Sequence, residues 1–220
     1  WYNMATDADI AITPRPLYLA DGRKSFDIHT QPMGLRESIK SALGPFPFPS
    51  FWGPAAGIAC SQWIADAARW TFDQHQPLLN LVYLPHLDYG LQKYGPGAPQ
   101  IAKELAEIDE VAGSLIDYYE QHQVRVLIVS EYGISPVNRA IHLNRELRRA
   151  GLLSIKDELA RDGLDLFQSE AIAVADHQVA HVYIKNPARI DEVRKLLEKI
   201  DGVESVAYVT ERWQPGIATE

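Results

Sequence analysis

The sequence predicts an α/β protein: a mostly parallel sheet flanked by helices, followed by a smaller α+β portion. Three observations carry the prediction. Two apolar, β-favouring runs, Leu78–Leu84 and Val124–Ser130, have the length and content of buried strands. The segment between them, from Pro99 to Gln123, repeats Ile101, Leu105, Ile108, Ala112, Leu115 and Tyr119 at helical spacing. A strand, a long helix and a strand in that order form a right-handed crossover that leaves the strands parallel. Beyond Leu152 the rhythm changes to short strands and one amphipathic helix.

Taken in order, residues 8–13 (ADIAIT) read as a short strand, and Thr13 to Lys24, with two prolines and Asp21-Gly22, as a loop. Leu35 to Leu43 is a short helix stopped by Gly44. Pro45 to Pro54 cannot be regular, because its prolines remove donors and fix φ. Its aromatics Phe46, Phe48, Phe51 and Trp52 read as a packed loop in preference to a platform for stacking a base or sugar. Ser61 to Gln74 is a helix with Ile64, Ala68 and Phe72 on one face, and Asn138 to Ala150 is another. Ala171 to Ala175 and Val179 to Lys185 are strands around Asp176-His177-Gln178. Arg189 to Ile200 is an amphipathic helix, and Val203 to Val209 is the last strand. The expected organisation is therefore residues 1–151 as part of the α/β core with the loop at 45–54, residues 152–211 as the α+β portion packed on it, and residues 212–220 as a tail.

Composition narrows the function classes. The chain has 220 residues, 46% of them hydrophobic and 23% charged, ordinary for a globular protein with a substantial core. A net charge of -8 argues against binding a nucleic-acid backbone, which needs a basic face. An anionic small substrate stays open, since a bound cation reverses the local field. Cys60 is the sole cysteine, which excludes an internal disulfide, and it reads as a small core residue and not a nucleophile. Neither an apolar run of about 18 residues nor a signal peptide is present, so the expectation is a cytoplasmic protein without a membrane partner, unless a targeting signal belongs to an absent N-terminus.

The chemistry gathers at strand ends, where open α/β sheets build sites. Asp88 follows the first run and Glu131 the second, so both are candidate hard-oxygen ligands for a divalent cation; the alternative is that they cap helices or face water. His86 stands two residues before Asp88, on the same side if the segment is extended. Asp176 and His177 sit between two strands, where a loop-borne imidazole can ligate, carry a proton or meet phosphate. His181 reads as a partly buried histidine; His29, His75, His122 and His142 read as surface residues. Gly95-Pro96-Gly97 lacks phosphate-loop spacing, and Ser130-Glu131-Tyr132-Gly133 lacks the form of a hydrolase elbow.

A strand ending in Asp88, then Gly95-Pro96, a long helix, and a strand ending in Ser130-Glu131-Tyr132-Gly133 resembles the type I phosphodiesterase/nucleotide pyrophosphatase family of the alkaline phosphatase superfamily. The likeness extends over nearly the whole chain, through PRPLYLADGRK, FWGP, YLPHLDYGLQKYGP, IVSEYGI and AVADHQVAHVYI. It implies a hydrolase of phosphodiester or pyrophosphate bonds that acts on a small phosphoester with two divalent ions, usually zinc, stabilising the attacking and leaving oxygens. Asp88 matches the family's Asp that opens an Asp-x-x-x-His pair, with Gln92 where the His belongs. Glu131 and Tyr132 stand where the family has Asp-His. Asp88, Glu131 and His177 are the expected metal ligands, with His86, Gln92, Tyr132 and Asp176 around substrate or ligands. The family's nucleophile lies upstream of the matched region and its last His ligand downstream, so the chain is expected to be an interior piece, inactive by itself. Two further readings stay open: a degenerate relative that binds a nucleotide or sugar phosphate without cleaving it, and a structural interaction domain built on the aromatic loop.

Overall fold

In the computed structural model of the protein, residues 7–51 and 53–208 are described. The chain forms two compact units, Trp1–Val137 and Asn138–Glu220. The opening residues Trp1 to Met4, Trp52 of the aromatic loop, Val209 and the expected tail at 212–220 lie outside the described residues.

The first unit begins with an antiparallel hairpin, β1 (Ala11–Tyr18) and β2 (Lys24–Gln31). Much of the expected loop at 13–24 is therefore strand. Pro14 and Pro16 are tolerated because they occupy alternate positions, opposite Ile28 and Phe26, on a strand that pairs with β2 alone. Asp21-Gly22 does make the turn, with Gly22 in the left-handed region at φ 82°.

Helix α1 (Leu35–Leu43) stops at Gly44 as read from the sequence. The aromatic loop then forms two short 3-10 turns, Phe48–Ser50 and Gly53–Ala55. Phe46 is buried, and its ring meets Trp63 edge-on at 5.2 Å. The loop is packed structure, each such ring pair adding about 0.5–1.5 kcal/mol beyond area burial.

Helix α2 (Ile58–His75) is the centre of the unit because it has two apolar faces. Cys60, Trp63 and Ala67 join Ile28, Ile39 and Phe46 in one cluster. Ala65 and Ala68 face a second cluster with Val111, Leu115 and Tyr119 of α4 (Pro99–Gln121). The small alanines let α4 approach closely. Leu105, expected on the buried stripe of α4, is 53% exposed, and Val111 is buried instead.

The two runs expected as buried parallel strands depart most from expectation. Residues 78–84 and 124–130 have no regular secondary structure and join no ladder, and among the described residues every sheet is a two-stranded antiparallel pair. One side of each run is covered: Val82, Val124 and Val126 pack on the α2–α4 cluster. The other side is bare, with Leu78, Leu79, Leu81, Leu127, Ile128 and Val129 exposed. Composition made these runs strand-like; no neighbouring strand pairs with them. Between the first run and α4 comes α3 (His86–Tyr94), a helix where the sequence reading had an extended segment.

The second unit holds two hairpins and two helices. Helix α5 (Leu143–Arg149), shorter than the expected 138–150, belongs here because Leu147 is fully buried with Leu152, Leu153, Ala171, Ala173, Val193 and Leu197. Strands β3 (Ser154–Asp157) and β4 (Asp162–Asp165) were not legible in a charged stretch. Strands β5 (Ala171–Asp176) and β6 (Val179–Ile184) pair around His177 as expected, and α6 (Ile190–Leu197) completes the core. Asn144 brackets β5, donating to the Ala173 carbonyl at 2.8 Å and accepting from its N–H at 2.7 Å. Residues 203–208 form no strand.

Candidate active site

The polar centre of the first unit lies where its two apolar runs end. Asp88 occupies the first turn of α3, and Gln92 follows one turn later on the same face. The Gln92 amide donates to Asp88 Oδ1 at 2.8 Å. Across the chain, the Tyr132 hydroxyl donates to the same oxygen at 2.6 Å, short as expected for a hydroxyl on a carboxylate. That bond, then burial and the surrounding negative charge, pushes the Tyr132 phenol far above its ordinary range, so it stays a neutral donor. Tyr83, near the end of the first run, joins the group. Burial, then the charges of Asp88 and Glu131, pushes its phenol up against the opposing effect of a Tyr132 hydrogen bond. Glu131 is solvent-exposed and acts on both phenols through its charge. The Ser130 hydroxyl donates to the Tyr132 carbonyl at 2.8 Å.

The structure thus gathers Asp88, Gln92 and Tyr132 into hydrogen-bonding contact, with Glu131 close enough to act electrostatically. Tyr83 was missed by sequence reasoning. Its signal was its place in the first run: it alternates with Val82, which packs on the helices, and so faces away from them with the polar group.

His86 is placed differently from the expectation. On a helix, two residues separate side chains by about 200°, so His86 and Asp88 lie on opposite faces of α3. His86 is 4% exposed, and its Nε2 lies 3.1 Å from Glu107 Oε2 on α4. His177 and Asp176 belong to the second unit. His177, at φ 55° in the β5–β6 turn, sits 3.7 Å from the exposed Asp176 carboxylate. His181 is exposed, not partly buried. Cys60 is buried, as expected, and its thiol donates to the Pro47 carbonyl at 3.3 Å.

The donors at Asp88 fit a divalent ion in kind and fall short in number. Carboxylates and phenols without thiolates suit a hard cation, and a neutral phenol is a poor zinc ligand. Among the described residues, no group of three or more His, Cys, Asp or Glu side chains is arranged to hold a metal. A concavity of about 360 Å³ in the same unit, lined in part by Arg15, His29 and Arg36, includes none of these residues.

A carboxylate–phenol cluster thus stands where the two runs end. The sequence matches type I phosphodiesterase/nucleotide pyrophosphatase over residues 1–218, and the chain belongs to that family. It is a family of phosphodiesterase and pyrophosphatase hydrolases, acting on small phosphoesters and typically dependent on divalent metal, with an alkaline-phosphatase-like α/β fold. The chain is similar to an uncharacterized pyrophosphatase/phosphodiesterase of Schizosaccharomyces pombe, 32% identical over 78 residues. That match covers 33% of this chain and 16% of the relative. No solved structure matches. Among the described residues, no helix is long and apolar enough to cross a membrane.

Proposed function

We propose that this chain is part of a metal-dependent hydrolase of phosphodiester or pyrophosphate bonds, in which Asp88 and Glu131 are metal ligands. The observation that supports the reading most is the convergence of Asp88, Glu131, Tyr132 and Tyr83 in a chain that matches the family over residues 1–218. A divalent ion there would supply charge for the attacking and leaving oxygens of the phosphoester. The chain's own part is to aim Asp88. Gln92 and Tyr132 donate to one of its oxygens, which leaves the other open to a cation. Zinc is the family's usual ion and part of the proposal; the oxygen-rich donors around Asp88 suit a harder ion equally well.

A second reading rests on the same contacts. Gln92 and Tyr132 are neutral donors where the family pattern has imidazoles, and they already satisfy Asp88. A relative so built would bind a nucleotide or sugar phosphate without cleaving it. The test is metal content by mass spectrometry, with hydrolysis of a nitrophenyl phosphodiester, on the longest natural polypeptide carrying this chain. Bound metal and turnover, both reduced in Asp88→Ala and Glu131→Ala, would establish the hydrolase. No metal and no turnover, with retained binding of a nucleotide, would establish the second reading instead.

A further inference from the structure

The seam between α3 and α4 carries polar groups that the proposed chemistry does not use. His86 is buried there against Glu107, and its Nδ1 has no hydrogen-bond partner. One turn further along α3, Gly90 is buried beneath the carboxyl group of Glu104. A Cβ at Gly90 would stand 1.6 Å from Glu104 Oε2 and 2.4 Å from its Cδ. Glu104 Oε2 is likewise buried without a partner. Residues 86 and 90 of α3 thus face residues 107 and 104 of α4, the second pair through the end of the Glu104 side chain.

Apolar side chains would hold these helices together at lower cost. An orphaned buried polar atom destabilises the fold, and glycine inside a helix is less favourable than alanine. Such a seam specifies position at the expense of stability. What it positions is the opposite face of α3, which presents Asp88 and Gln92 to Tyr132.

We propose that His86 and Gly90 are positioning residues: through Glu107 and Glu104 they fix α3 on α4 so that the Asp88 carboxylate meets the Tyr132 hydroxyl. The proposal rests on the reading of Asp88 as a site residue for its functional meaning, and on the seam alone for its structural content.

The experiment uses the 220-residue chain labelled with carbon-13 at tyrosine Cζ, with the Tyr132 resonance assigned by its loss in Tyr132→Phe. Asp88→Ala gives the shift of a Tyr132 without its acceptor. Gly90→Ala is expected to move the wild-type resonance toward that position. Glu104→Ala added to Gly90→Ala is expected to return it, because the colliding carboxyl group is gone. Alanine is the better helix former, so weakening of α3 does not explain a shift in Gly90→Ala. His86→Gln, which keeps a donor for Glu107, is expected to hold the resonance nearer wild type than His86→Ala does, a second measurement should Gly90→Ala not fold. An unmoved resonance in folded Gly90→Ala, or no return in the folded double variant, would overturn the proposal, as would identical spectra for the two His86 variants. The signal reports the Asp88 contact whether or not Asp88 holds a metal. Failure here therefore leaves the hydrolase reading intact, and failure of the metal and turnover test leaves this one intact.

Discussion

Raising the pH through the range where thiols ionise tests whether Cys60 is a core residue and not a nucleophile. Its side chain is 2% exposed, among Ile28, Ile39, Phe46, Trp63 and Ala67. Burial pushes the thiol up from 9.0 to about 11. The folded state thus holds this proton more tightly than the unfolded chain does. Its contribution to stability is whole below pH 9, declines above it, and is gone once the pH passes the folded value. A shift of about two units makes the full loss on the order of 3 kcal/mol, and roughly half of it has occurred by about pH 10. Urea unfolding followed by the fluorescence of Trp63 and Trp70 reads the first unit. The wild type is expected to lose about 1–2 kcal/mol more than Cys60→Ala between about pH 8 and about pH 10. The tyrosines ionise alike in both proteins, so they drop out of the difference. Parallel pH profiles for wild type and variant would refute the reasoning. So would reaction of the native thiol with a disulfide reagent at the rate of a free cysteine.

Three further outcomes are expected. Leu147→Ala empties a fully buried position in the second unit and should cost about 3–4 kcal/mol, read by amide exchange of β5. Asn144→Ala removes both ends of the bracket on Ala173 and should cost about 2–3 kcal/mol by the same measurement, with Asn144→Asp recovering the bond from the Ala173 N–H. Gln92→His places an imidazole one helical turn after Asp88, where the family pattern has one. Calorimetric titration should then show zinc binding at least tenfold tighter than wild type, and unchanged affinity would mean that the Asp88 face of α3 is not a metal site.

Local signals in the sequence sufficed where the structure is local. Helix α1 ends where Gly44 says it should, and the β5–β6 hairpin turns at His177-Gln178 as its alternating neighbours imply. The β1–β2 hairpin was obscured by Pro14 and Pro16, whose cost depends on which edge faces a partner, a fact of pairing and not of composition. Strands β3 and β4 were obscured by their charge: half of their residues are exposed and none is fully buried, so no apolar period marks them. At the site, Asp88, Gln92 and Tyr132 were legible because their types and order carry the family resemblance. Tyr83 was not, since an aromatic within an apolar run looks like core. His86 was assigned to the wrong face because the backbone turns helical immediately after Pro85, and a helix places alternate residues apart where a strand places them together.

The bare run from Leu127 to Val129 bears on how this chain behaves in a test tube. Leu-Ile-Val is aliphatic with two β-branched members, holds no proline, and joins no strand ladder while its side chains are exposed. These are the ingredients of intermolecular stacking into fibrils. The charges at its two ends, Arg125 and Glu131, act as gatekeepers that make such stacking unfavourable. Glu131 is therefore both a proposed metal ligand and a charge that favours colloidal stability. A variant that removes its charge alters both at once. Glu131→Lys keeps a gatekeeping charge while abolishing a ligand, which makes it the variant that separates lost chemistry from lost solubility.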